Sequence, residues 1–279
     1  MIFNSLATFN ALALIARAPG ARAARAAAVV ILALGLGAGS AWAADEAYIR
    51  PDQLDLTVLL APAPLPDSLT TREDIRLMRE LQAMRTPAMI ALANADVERT
   101  LSRFSDVVGT DLSKARAPRA NALVDKATED AGAIFGKAKD KWHRIRPYLA
   151  FPEQIQLVVP PESSYSYPSG HATFGMATAI VLAAMVPEKA ADIFARGAEF
   201  GFERTLAGVH YPSDVEAGRL AGTAIAGVLM LNPQFRTDLA AATAEVRGLL
   251  ALPPLAANEN APVTPATITP APAAQPAAK

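Results

Sequence analysis

Two stretches of this chain, residues 172–186 and 217–231, are apolar on most of their helical faces. Helices of that kind lie at the centre of a globular core or across a membrane. Each is shorter than the roughly 20 residues a membrane span needs. Small residues in and beside them, among them Gly175, Ala177, Gly218, Ala221 and Gly222, allow close packing. The two stretches are therefore predicted to pair as the central helices of a single domain.

The rest of the chain between about residues 67 and 252 shows the same helical period. Thr70 with Glu73 reads as a capping box opening a helix that stops before Pro87. Thr86 reads as the next N-cap, with Pro87 at the first helical position. Ile90, Ala93, Val97, Leu101, Phe104 and Val108 then form a one-sided stripe along one helix. Pro118 opens another, with Leu123, Ala127, Ile134 and Phe135 facing inward. A helix over 188–207 and a last amphipathic one capped by Asn232-Pro233, with Phe235, Leu239 and Val246 inward, complete the set. Residues 156–159 are the best strand candidate. The predicted fold class is all-α, a single-domain helical bundle.

Composition bounds the remainder. Hydrophobic residues make up 52% and aromatics 6%, the excess being largely alanine. The formal net charge of −1 provides no global basic field, so a nucleic-acid polymer is not expected as partner. With no cysteine, disulfides and thiolate metal sites are excluded. Arg17, Arg22 and Arg25 precede an uncharged run over 26–39 and an Ala-x-Ala site at Ala41-Trp42-Ala43. That order predicts a secretory signal over residues 1–43, cut after Ala43, and a periplasmic location. Its removal takes away three arginines and no acid, so the mature chain carries −4. Residues 44–66, with Pro51, Pro62, Pro64 and Pro66, are expected to be an extended lead-in, and 253–279 a disordered Pro- and Ala-rich tail. No stable membrane span is expected after cleavage. The helix over 233–250 offers a seam for a homo-oligomer.

Three short segments carry the chemistry. In Pro168-Ser169-Gly170-His171, Ser169 is a natural N-cap for the apolar helix. The N-terminus of that helix suits an anion, and Gly170 lets the backbone approach it. Lys139 and Arg146 are seven residues apart and face one way if residues 137–145 are helical; one is a mobile point charge, the other a planar fork for phosphate oxygens. Arg144 sits among Lys137, Lys139 and Lys141, which also fit a solvated face. In Arg204-x5-His210-x3-Asp214, a carboxylate four residues from the imidazole can hold its Nδ1 proton and leave Nε2 nucleophilic. Each segment alone has a bland reading, as a cap, a solvated face or a surface histidine. Together they place three cations, two of the chain's three histidines and one carboxylate around a single anion.

The order and spacing of these segments over residues 139–214 resemble the type 2 phosphatidic acid phosphatase superfamily, which includes bacterial class A nonspecific acid phosphatases and vanadium-dependent haloperoxidases. Ser166-Tyr167-Pro168-Ser169-Gly170-His171 is similar to the class A signature, with Ala172 where threonine is more usual. Glu203 stands where serine is usual and is expected to turn from phosphate or pair with a base. The resemblance implies a phosphohistidine at His210, oriented by Asp214. His171 would protonate the leaving alcohol and then activate water, while Lys139, Arg146, Ser169, Gly170 and Arg204 hold the phosphoryl oxygens. Three fixed cations can neutralise the transferring group, so neither metal nor cofactor is expected. The implied substrates are small phosphate esters, with inorganic phosphate or vanadate as site ligands and an acid pH optimum. The alternatives are a lipid phosphate or pyrophosphate phosphatase, a vanadate-dependent haloperoxidase, and a non-catalytic phosphate binder. His143 matches no position of the pattern. Tyr165 and Tyr167 are expected at the entrance.

Overall fold

The computed structural model describes residues 46–255. The expected signal segment and the tail beyond residue 255 lie outside the described residues. The chain runs through α1 (Leu56–Leu59), α2 (Leu69–Met84), α3 (Pro87–Ala95), a 3-10 turn (Leu101–Phe104), α4 (Ser105–Val108), α5 (Pro118–Trp142), α6 (Pro147–Ala150), α7 (Gly170–Met185), a second 3-10 turn (Pro187–Lys189), α8 (Ala190–Leu206), α9 (Pro212–Leu231) and α10 (Pro233–Leu249). Among the described residues there is no strand, and residues 156–159 are irregular. The fold is all-α.

The apolar stretches form α7 and α9. Ser169 caps α7, its Oγ accepting the Ala172 N–H at 3.4 Å. α7 is buried on most sides and packs most extensively on α8 and α9. Glycine makes this approach possible. A Cβ on Gly175 would lie 2.3 Å from the Gly197 carbonyl oxygen of α8, and one on Gly218 of α9 would lie 2.4 Å from the Ser169 carbonyl oxygen. Gly175→Ala must therefore push two backbones apart, and an overpacked core costs about 1–3 kcal/mol. Gly227→Ala, with open space at its Cβ, is expected to be neutral or to stabilise α9 by up to about 1 kcal/mol. Denaturant midpoints of the two variants check this contrast.

Local chemistry explains where the elements depart from expectation. α2 opens at Ser68 rather than Thr70, because Ser68 is the residue in extended geometry whose Oγ accepts the Thr71 N–H. The stripe from Ile90 to Val108 is not one helix. α3 ends at Ala95, and the buried carboxylate of Asp96 is drawn to Arg196 at 2.6 Å and to the Arg103 Nε at 2.5 Å. Ala93, Leu101, Phe104 and Val108 are nevertheless buried. Thr86, Pro118 and Asn232 open their helices where the caps and prolines placed them. The described part of the expected lead-in, residues 46–66, contains α1 and is tied down: the Tyr48 hydroxyl donates to Asp238 at 2.6 Å, and the Asn232 side chain donates to the Tyr48 carbonyl. The apolar face of α10 buries Phe235, Leu239, Ala242 and Val246 in the chain's own core, so it is not an open seam.

Candidate active site

Lys139 and Arg146 do not share a helix. α5 ends at Trp142, and His143 takes the left-handed conformation (φ 48°) as its C-cap, its ring edge-on to Tyr165 at 4.5 Å. The residue left outside the pattern thus makes the turn. Arg146 follows in extended geometry, as a residue before proline should, and Pro147 opens α6. Reversal at His143 sends Arg144 and Arg146 inward, and both are buried.

Arg146 is 1% exposed, and its donors are committed. Nε donates to the Ser164 carbonyl at 2.7 Å, Nη2 to Glu162 at 2.6 Å, and Nη1 points at His210 Nε2 at 3.1 Å. A guanidinium has no lone pair to offer, so His210 Nε2 must be the accepting nitrogen and Nδ1 carries the proton. Nδ1 faces Asp214 Oδ2 at 3.3 Å. Asp214 is fully buried at the third position of α9. It also accepts the Tyr211 N–H at 3.0 Å, the Ser166 hydroxyl at 2.5 Å and Arg144 Nη1 at 2.6 Å. Burial pushes the Asp214 carboxyl up, but His210, Arg144 and Ser166 outweigh it and hold it below the usual carboxylate range. Burial lowers His210 to about 4 against the pull of Asp214, so the ring is neutral at ordinary pH.

His171 lies in the first turn of α7 and is buried. Its Nε2 lies 3.1 Å from the Val97 carbonyl, which only accepts, so Nε2 holds the proton and Nδ1 is the nitrogen able to take another. Burial, followed by Arg204 and Arg99, holds its pKa down, opposed by Glu162. The Ser169 N–H donates to the Asp214 carbonyl oxygen at 3.0 Å, which ties the two helix starts together. Gly170 is the first residue of α7, and a Cβ there would meet Arg99 Nη1 at 3.3 Å. Lys139, in the last turn of α5, donates to the Tyr165 carbonyl; burial, then Arg146, lowers it to about 7. Arg204, near the end of α8, donates through Nη2 to the Ala93 carbonyl, while its buried Nε has no acceptor among the described residues. Arg146 touches both Glu162 and His210, Glu162 lies 3.7 Å from His171, and Lys139 and Arg146 share the Tyr165 carbonyl, so these groups surround one small volume.

The profile of the PAP2 superfamily matches residues 127–238, the span that contains Lys139, Arg146, Ser169, Gly170, His171, Arg204, His210 and Asp214. Over 199 residues the chain is 30% identical to an acid phosphatase of Zymomonas mobilis subsp. mobilis, covering 69% of this chain and 75% of that one. It is also 30% identical over 205 residues to a non-specific acid phosphatase of Providencia stuartii, covering 69% and 81%. The chain belongs to the PAP2 superfamily. A third relative, a non-specific acid phosphatase of Salmonella typhimurium, is 34% identical over 155 residues, covering 53% and 61%.

Four further side chains lie in or against this PAP2 site: Arg144, Ser166, Arg99 and Glu162. Arg144 is no solvated charge: it bridges Asp214 to Asp74 (3.1 Å) and Thr71 on α2, over the Tyr211 ring at 3.8 Å. Ser166 holds Asp214, Arg99 adds a fourth cation beside Gly170, and Glu162 sits among the cations. Glu162 did carry a signal, as the one Asp, Glu, Lys or Arg between Glu153 and Glu188. Glu203 is buried with Arg196 at 4.0 Å as its nearest base; burial and Asp96 push its carboxyl up. Tyr165 is partly exposed, whereas Tyr167 is buried against Trp142 and its hydroxyl donates to the Ala61 carbonyl, so Tyr167 belongs to the core and not to an entrance.

Proposed function

We propose that this chain is an exported acid phosphatase that hydrolyses phosphate monoesters through a phosphohistidine on His210, without a metal ion. The observation that carries the reading is the environment of His210: Asp214 at Nδ1 fixes the tautomer and leaves the Nε2 lone pair facing Arg146. Once an ester's phosphoryl oxygens take Arg146, that lone pair attacks phosphorus as the P–O bond to the alcohol breaks. His171 Nδ1, bare in the free site, takes the proton of the monoanionic ester as it binds and passes it to the departing oxygen. Water then attacks phosphorus, giving its proton back to His171 as the P–N bond opens. Lys139, Arg146 and Arg204 neutralise the equatorial oxygens in place of divalent ions. The unpaired buried Nε of Arg204 supports an anion in this position. The acid phosphatases among the relatives support the reaction class. Export rests on the signal-like order of residues 1–43.

The pH dependence has a definite sign. His210 gains its lone pair as pH rises through about 4, and Lys139 loses its charge as pH rises through about 7. Hydrolysis of p-nitrophenyl phosphate is therefore expected to rise through the first value and fall through the second. EDTA should leave the rate unchanged and vanadate should inhibit. A rate abolished by EDTA, or one that climbs above pH 8, contradicts the proposal.

A lipid phosphate substrate is a second reading with one observation behind it. A mainly apolar cavity of about 80 Å³, lined by Leu123, Phe135, Phe174 and Ile225, also touches Gly170 and Arg99. Among the described residues no helix is long and apolar enough to cross a membrane. If alkyl phosphates of increasing chain length show a falling KM, the cavity holds the alcohol's tail.

A further inference from the structure

We infer that Glu162 is a specificity-determining residue: a resident carboxylate that occupies the phosphoryl site and that an incoming phosphate must displace from Arg146. The inference rests on the phosphatase reading of the site and adds to it a group outside the three segments. Glu162 Oε2 lies 2.6 Å from Arg146 Nη2, and Oε1 lies 3.7 Å from His171 Nδ1. One carboxylate thus spans a cation of the cradle and the second imidazole. Arg146 has no idle arm, since its other nitrogens hold Ser164 and point at the Val209 carbonyl and His210. Of these partners only Glu162 is an anion. It can also leave: its side chain is 30% exposed on the irregular segment between α6 and α7, whereas His210 is fully buried. The Glu162 backbone stays in place, because its carbonyl accepts the Tyr148 hydroxyl at 3.2 Å, so displacement is a side-chain movement.

The consequence is a threshold on the ligand. Two anions cannot share Arg146 without a cost that the incoming one must exceed. A phosphoryl group does so by reaching Arg146, Lys139 and Arg204 at once. An anion with fewer free oxygens, such as a phosphodiester, reaches fewer of them and loses the competition. The same return of Glu162 to Arg146 helps expel inorganic phosphate after turnover.

The test uses the full chain and its Glu162→Gln, Glu162→Ala and Glu162→Asp variants, titrated calorimetrically with inorganic phosphate and assayed on p-nitrophenyl phosphate and bis(p-nitrophenyl) phosphate. The expected result is phosphate binding about tenfold tighter in the Gln and Ala variants and near wild type in the Asp variant, as the loss of a competing charge requires. KM should fall in parallel, kcat should move less than KM, and the diester should gain relative to the monoester. Phosphate binding that is unchanged or weaker in both neutral variants overturns the inference, as does a fall in kcat with KM unchanged, which would assign Glu162 to positioning His171. Binding is read without turnover. A wild-type chain that cleaves no ester therefore counts against the proposed function alone, and a normal enzyme with unaltered phosphate affinity in the variants counts against this inference alone.

Discussion

His210→Ala is expected to lower turnover of phosphate esters at least about a thousandfold, because the step that breaks the P–O bond would lose its nucleophile. Alanine leaves Asp214 with the Tyr211 N–H, Ser166 and Arg144 as partners, so the fold should survive and the loss should be chemical. His171→Ala separates the two half-reactions. An activated ester such as p-nitrophenyl phosphate needs little help for its leaving group, so this variant should still transfer phosphate to His210 and then stall. Rapid quench with labelled ester should trap an acid-labile, alkali-stable phosphoenzyme in His171→Ala and none in His210→Ala. Label retained after His210→Ala, or turnover within tenfold of wild type, would place the nucleophile elsewhere.

Arg144→Met should cost about 3–5 kcal/mol of folding stability, the range for removing one partner of a buried ion pair. The guanidinium is buried and holds two carboxylates from distant parts of the chain, Asp74 on α2 and Asp214 on α9. Burial already pushes the Asp74 carboxyl up, with Ser213 and Arg144 pulling it back. Without Arg144 the charge on Asp214 loses its main counter-ion, and the imidazole it orients loses a fixed acceptor. Adding Asp74→Asn to Arg144→Met should return part of the stability, since one of the two uncompensated acids is then gone. Guanidinium denaturation of the single and double variants measures this. Unchanged midpoints would mean that the pair is solvated in solution.

The fold was legible to the extent that it rests on local signals. Pro87, Pro118 and Pro233 open helices because a missing N–H costs nothing in a first turn. α7 was visible as an apolar run because it is buried on most sides, whereas α9, apolar in sequence all the same, buries one face through Ala217, Gly218, Ala221, Ile225 and Leu229 and leaves Leu220 and Leu231 exposed. The break after Ala95 was not legible. The periodic stripe continues through it, and what interrupts the helix is a carboxylate pairing with Arg196, 100 residues away in sequence. The turn at His143 was hidden for a similar reason, since a left-handed C-cap more often carries glycine.

The site divides along the same line. Ser169, His210 and Asp214 carry their roles in short-range geometry: a cap, a turn, and a carboxylate four residues from its imidazole. Their sequence neighbours suffice to suggest the chemistry. Arg144, Glu162 and Arg99 acquire theirs only from groups brought up by other elements. Nothing in the neighbouring residues distinguishes Arg144 from Lys141, which stays exposed. The sequence by itself determined that this chain makes a helical domain with an anion-holding turn and an oriented histidine, because caps, periods and i,i+4 pairs act over a few residues. Only the tertiary structure decided which charges are buried and paired, because desolvation and Coulomb energy depend on distances that the chain sets by folding.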